Sequence, residues 1–287
     1  MVYDPPTRSL RSIIGIVGAA QLGESILEDL DWASVAPDGR VSIIRRANQL
    51  YYVHGNATAQ TVQAHESAVP DDVLWAHDSR SAFLFWRKGK SGQRITIQSD
   101  GRVAIDPVVA LKQEGDITAV AGSPAGSLLL AIDGSGIHLW DVANDTTILV
   151  APIRACHAIV LADDKSQAWA VDGESGVLYK IELSSGQLSV ASAETDTLLG
   201  VTVMAITSAN RGILLANPTK QSLYLLRMDN MEIGHVASLE APITMFQALG
   251  RRSLMLLGHR AKVSESIVLY DELRTDTFFV PVLEEKQ

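Results

Sequence analysis

Short apolar runs separated by polar turns recur along this chain at a nearly fixed interval. Six segments begin with an apolar run, pass a small residue and a polar turn, and continue into a second apolar run. They read SVAPDGRVSII, VLWAHDSRSAFLF, TAVAGSPAGSLLLAI, AIVLADDKSQAWAV, VMAITSANRGILLA and TMFQALGRRSLMLL. With the turns marked by Asp38, Asp78, Pro124, Asp164, Ala209 and Gly250, the intervals are 40, 46, 40, 45 and 41 residues. A period of this length carrying four short strands is that of a propeller blade.

Two more strand-like runs follow each segment. IHLWDV and TTILVAP follow LLLAI, and VLYKIEL and QLSVAS follow QAWAV. SLYLLRM and EIGHVAS follow GILLA, and SIVLYDE and TFFVPV follow SLMLL. The connections are short and rich in Gly, Asp, Ser and Asn, such as DGSG at 133–136 and DGESG at 172–176. Such residues tolerate the positive φ of tight hairpins. The pattern therefore predicts an all-β chain: a β-propeller of six four-stranded blades plus an N-terminal hairpin, which counts as a partial seventh blade in the alternative reading. Residues 1–287 form a single propeller domain in this reading. The hairpin within 1–15 matches the second half of a blade at 267–282, and pairing between these ends is expected to close the sheet edges. One stretch, AAQLGESILEDLDW at 19–32, has helical character.

The small residue before the turn fits a crowded innermost strand. Ala36, Ala76, Ala162 and Ala248 occupy that place, with Thr207 and Gly122 as the nearest equivalents. Ala162 is accordingly expected to be the tighter site, and Ala216, beside Asn217-Pro218, the more surface-proximal one.

Trp140-Asp141, Tyr270-Asp271 and Tyr3-Asp4 each end a strand and lead into a turn, and Ile181-Glu182 sits at the equivalent place. In this the chain resembles the WD40 and YVTN-type propellers, as a divergent member of bacterial style. The resemblance implies a binding platform without naming a ligand.

Composition narrows the rest. Apolar residues make up 47% of the chain and charged residues 20%, enough for a sizeable core. Aromatics are only 6%, so the core rests on aliphatic residues, and stacking on sugars is weakly served. The formal charge of −9 argues against general nucleic-acid binding. The single cysteine, Cys156, permits no intrachain disulfide. No secretory leader is read at the start and no apolar run of membrane-spanning length occurs, so a cytoplasmic location is the default expectation.

The chemistry-bearing residues are dispersed. There is no G-x-S-x-G elbow, and Cys156 and His157 are neighbours on a strand, so their side chains face opposite ways. The seven histidines form no H-x-x-x-H pair. Asp38, His77, Asp78, Asp163 and Asp164 follow first strands and are expected near one channel mouth, as binding residues or hard oxygen ligands for a cation; the preferred reading is that they are turn residues, chosen for Asx-type hydrogen bonds. Arg87, Lys88, Lys90 and Arg94 form a basic hairpin tip, read either as a patch for an anionic partner or as a solvated edge. No cofactor is implied. The leading expectation is a non-enzymatic platform for a protein or peptide partner; the alternative is a metal-dependent hydrolase or lactonase-type enzyme with its site at the channel mouth.

Overall fold

The computed structural model describes residues 1–16, 18–54, 60–62, 68–98, 102–122, 126–162, 164–192, 195–207, 211–250, 254–259 and 267–281. They hold strands in seven sheets and no α-helix. Sheet 1 is β1 (Val2–Asp4), β2 (Ser9–Ile14) and β3 (Gln21–Leu27). Sheet 2 is β4 (Trp32–Val35), β5 (Val41–Arg46), β6 (Gln49–His54) and β7 (Gln60–Val62). Sheet 3 runs through β8 (Asp72–Trp75), β9 (Ser81–Trp86), β10 (Ser91–Ile97) and β11 (Val103–Ile105), followed by β12 (Val109–Ala110). Sheet 4 is β13 (Ile117–Gly122), β14 (Ser127–Ile132), β15 (Gly136–Asp141) and β16 (Thr146–Ala151). Sheet 5 is β17 (Cys156–Leu161), β18 (Gln167–Asp172), β19 (Leu178–Glu182) and β20 (Gln187–Ser192). Sheet 6 is β21 (Val203–Ile206), β22 (Gly212–Asn217), β23 (Ser222–Arg227) and β24 (Ile233–Ser238). Sheet 7 is β25 (Ile243–Leu249), β26 (Leu254–His259), β27 (Ile267–Asp271) and β28 (Asp276–Val280). Strands within a sheet are neighbours in chain order, with β12 off that path. This is the seven-bladed β-propeller class.

The blade count exceeds the expected six because the N-terminal hairpin gains a third strand, β3. That strand lies within 19–32, where no helix forms. The hairpin also corresponds to a different part of a blade than its likeness to 267–282 suggests. Its turn, Asp4-Pro5-Pro6-Thr7-Arg8-Ser9, has the geometry of Asn217-Pro218-Thr219-Lys220-Gln221-Ser222. Arg8 N–H donates to Pro5 O and Gln221 N–H to Pro218 O, both at 3.2 Å. Arg8 and Gln221 have φ of 52° and 49°. The hairpin thus supplies second and third strands. β1 lies beside β4, and Gln247 of β25 donates to Val35 O of β4 at 2.8 Å.

The chain divides into two compact units, one of residues 1–86, 91–108 and 247–287, the other of 87–90 and 109–246. In the first, consecutive sheets share cores. Val2 and Leu22 pack with Leu256, Ile267, Leu269 and Val280. Leu10 and Leu30 pack with Ala33, Val35, Ile44 and Val53. Ile43 and Tyr52 pack with Ala82, Leu84, Trp86 and Ile95. The N-terminal sheet meets sheet 7 through its shared core and through one backbone bond, Leu22 N–H to Pro281 O at 3.1 Å. In the second unit, Leu129 and Ile137 pack with Ile159, Ala168 and Ile181. Trp169 and Leu178 pack with Ile213, Leu215 and Leu226.

Irregularities repeat with the sheets. The outer strands of sheets 4, 5 and 6 carry one extra residue at matched places, Val150, Ala191 and Val236. Such bulges twist an edge away from foreign pairing. The expectation for Ala216 is overturned: it is fully buried in β22, where all six residues are buried. The segment 195–201 covers that end, and Asn217 donates to Leu199 O at 2.6 Å. Ala36 and Ala162 are buried as expected, whereas Ala76 and Ala248 are half-buried.

Sheet 1 depends on a buried ion pair. Arg11 Nη1 lies 3.5 Å from Asp4 Oδ2, with side chains 9% and 3% exposed, and Arg11 Nε donates to Gly23 O at 2.8 Å. Arg11→Met should cost about 3–5 kcal/mol, because it leaves Asp4 charged and buried. Arg8→Met, which removes an exposed pair with Asp31, should cost at most about 1 kcal/mol. Denaturant unfolding compares the two. A second prediction concerns acid. His138 is buried on β15 beside Ser135 Oγ at 2.9 Å, and desolvation holds its pKa below the usual 6.5. The unfolded chain therefore binds this proton more readily than the folded one. The stability contribution is complete above the unfolded pKa and is lost as pH falls through the folded value. His138→Gln should flatten that acid limb in unfolding measured over a pH series.

Candidate functional site

One turn is built three times between first and second strands. In each copy an alanine N–H donates to the carbonyl five residues on: Ala36 to Val41 and Ala76 to Ser81 at 2.8 Å, Ala162 to Gln167 at 2.9 Å. Gly39, Ser79 and Lys165 take φ of 70°, 60° and 59°, and each donates its N–H back to the alanine carbonyl at 2.9 Å. Serine and lysine have a steric cost in that conformation, on the order of 1–2 kcal/mol, which the surrounding hydrogen bonds must offset. The aspartate supplies one of them. Asp38, Asp78 and Asp164 each accept the N–H two residues ahead, from Arg40 at 2.8 Å and from Arg80 and Ser166 at 3.0 Å. Thr207 N–H bonds Gly212 O in the same manner.

The turn-residue reading of these aspartates thus holds, and the turns still present exposed groups. Asp38, His77 and Asp78 are exposed in the first unit, and Asp164 in the second. Asp163 lies outside the described residues. The backbone bond from Ser166, and then the Ser166 hydroxyl, which also donates to Asp164, hold that carboxyl below the ordinary range. Asp38 and Asp78 stand on adjoining turns, because Asp38 N–H donates to Ser79 Oγ at 2.9 Å. A parallel bond runs from Trp75 Nε1 to Ser34 Oγ at 2.9 Å. Each links residues 41 positions apart, one repeat period. Tyr52 is a neighbour that sequence reading missed. Its hydroxyl is buried with no hydrogen-bond partner among the described residues, and burial, then the Asp38 charge, pushes its pKa up. Among the described residues, no three His, Cys, Asp or Glu side chains converge in a metal-holding group.

The basic hairpin tip is largely committed to the scaffold. Arg87 donates to Thr118 O at 2.7 Å and Lys90 Nζ to Gln113 O at 3.0 Å. Arg94 is paired with Asp106 at 2.6 Å. Lys88 is exposed at the tip.

Cys156 and His157 are divided as expected, one buried and one exposed. Burial pushes the Cys156 thiol up to about 12, which leaves little nucleophilic thiolate at neutral pH. The His157 ring lies over Gly173, where an added methyl would come within 2.1 Å of Nδ1.

No protein-family model matches the sequence, and no curated protein matches it. Solved structures do match its fold. A streptogramin B lyase aligns with TM-score 0.61 at 11% identity, over 88% of this chain and 82% of that one. A catalytically inactive virginiamycin B lyase from Staphylococcus aureus, with quinupristin, aligns with TM-score 0.60 at 10% identity, over 88% and 84%. PorZ, a surface component of the type-IX secretion system of Porphyromonas gingivalis, aligns with TM-score 0.58 at 14% identity. That match covers 88% of this chain, which spans only 33% of PorZ. At these identities the likeness shows the fold alone.

Proposed function

We propose that this chain is a binding module that takes a protein or peptide partner on the first-to-second-strand turns. The observation that carries the reading is the threefold recurrence of one hydrogen-bonded turn, each copy fixing an exposed aspartate by its own backbone. Rigid strands bearing fixed polar loop groups are the usual construction of a recognition surface. Asp38, His77 and Asp78, on adjoining turns of the first unit, are the contact candidates; Asp163 and Asp164, on the same turn in the second unit, are a separate pair of candidates, and exposed Lys88 is the remaining candidate for an anionic partner. No cofactor enters this reading. The probe is a displayed random-peptide library selected on the whole protein. Selected peptides should lose about tenfold or more in affinity on Asp38→Asn with Asp78→Asn, substitutions that keep the turn's acceptor oxygen while removing the charge. Peptides that bind the variant equally well would refute the site.

A second reading is a metal-dependent hydrolase or lactonase-type propeller enzyme with a cation at the same turns; its enzyme part alone draws support from the two lyases that share the fold over most of their length. It predicts stoichiometric metal in the purified protein, lost in Asp38→Asn or His77→Ala. Elemental analysis of both variants decides it, and metal-free active wild-type protein would refute it.

A further inference from the structure

We infer that the beginnings of β13 and β17 form an oxyanion-binding site, centred on His157, with Thr118 positioning it and Arg87 and Lys88 at its side. The strand ladders carry the argument. β4, β8 and β21 pair with their second strands without a break. β13 and β17 each hold one extra residue near the start: Thr118 between Ile117 and Ala119, and His157 between Cys156 and Ala158. A bulge of this kind re-aims a side chain and is frequent beside functional sites. Its effect is plain in β17. Residues two apart in a regular strand share a face. Yet Cys156 packs into the core shared with sheet 4, and Ala158 into the core shared with sheet 6. His157 takes up the half-turn between them and leaves both cores; it is exposed between two buried neighbours.

The exposed imidazole is held in place. Its Nδ1 edge lies against Gly173, where an added methyl would come within 2.1 Å of Nδ1 and 2.5 Å of Cε1, so glycine alone fits beneath it. Nε2 is on the far side of the ring, and His157 has no hydrogen-bond partner among the described residues. Thr118 ties the two bulges together, because its hydroxyl donates to Cys156 O at 2.5 Å. Its carbonyl in turn accepts Arg87 Nη1 at 2.7 Å. That bond takes one of the five guanidinium donors and none of the charge. Lys90 ties the same hairpin tip to Gln113 O at 3.0 Å, and Lys88 between them is exposed. Residues 87–90 belong to the same compact unit as both bulges. Thr202 holds the place of His157 in sheet 6: each lies five residues before the residue, Thr207 or Ala162, whose N–H closes the turn into the second strand. It is exposed and adds a hydroxyl. A guanidinium, an imidazole N–H, a hydroxyl and an ammonium are the donors that carboxylate and phosphate oxygens require. Glu174, exposed next to Gly173, is an opposing charge, whereas Asp172 accepts the N–H groups of Glu174 and Ser175. The aspartate turn of sheet 5 lies at the other end of β17, so either site can fail alone.

Inorganic phosphate and acetate, titrated separately into the whole protein at neutral pH and constant ionic strength, test this. The readout is the His157 ring-proton resonance, assigned by its loss in His157→Gln. At least one of the anions should shift that signal saturably, and His77, on a turn of the first unit, should not move. A response to phosphate alone assigns a phosphate ligand, and a response to acetate assigns a carboxylate. Arg87→Gln should weaken binding about tenfold or more. Lys88→Gln, at an exposed position, should weaken it about twofold or more at an unchanged melting temperature, and Glu174→Gln should tighten it by a similar factor. The Lys88 variant keeps the test open if Arg87→Gln does not fold. No saturable shift with either anion overturns the proposal. So does binding that is unchanged in Lys88→Gln, or that weakens in Glu174→Gln as a cation site would.

Discussion

A four-stranded sheet with apolar residues on both faces has to be covered on both sides, and most of this structure answers that requirement. β22 shows it most plainly, with all six residues buried although they alternate between the two faces of the sheet. β14 is nearly as enclosed, from Leu128 to Ile132. Such strands have no stable solvent-facing state. Each sheet is ordered by its neighbours' cores, and the few aromatic residues matter less than the matched aliphatic positions. Burial of this kind is non-directional. The direction comes from the strand ladders and from the turns that set which residue enters which face.

The same constraint fixes the candidate binding surface. Between first and second strands the chain reverses in a four-residue turn that follows Ala36, Ala76 and Ala162. Asp38, Asp78 and Asp164 stabilise that reversal by accepting a backbone N–H; all three are exposed residues, and at Asp164 both carboxylate oxygens also accept the Ser166 hydroxyl. The turn bond and an exposed carboxylate are therefore compatible at Asp38 and Asp78. For the basic tip the balance falls differently. Arg87 and Lys90 are spent on carbonyl groups of neighbouring chain, which leaves only Lys88 fully presented.

Much of this was legible in the sequence because turns leave a residue signature. Alanine, aspartate and a following glycine, serine or lysine recur at one period, and the fold class follows from the period alone. What escaped was decided by tertiary contact. Leu22, Ile26, Leu27 and Leu30 have a genuine helical spacing, yet pairing with β2 makes 21–27 a strand, and two register shifts absorb the mismatch. Ala216 looked surface-proximal beside Asn217-Pro218, but the 195–201 segment covers it, and local sequence carries no trace of that cover. Tyr52 sits on a third strand with no motif around it, and its place beside Asp38 depends on how β6 pairs with β5 in sheet 2.

The central claim is that exposed side chains on these turns are held by a rigid backbone. Residue-resolved hydrogen exchange tests it at the amides of Arg40, Arg80 and Ser166. All three belong to exposed residues, and all three donate to an aspartate carboxylate. Rigid turns require these amides to exchange about tenfold or more slowly than unbonded exposed amides of the same sequence context. Exchange at the unprotected rate would show that the turns are mobile, and a preformed recognition surface built on them would be contradicted.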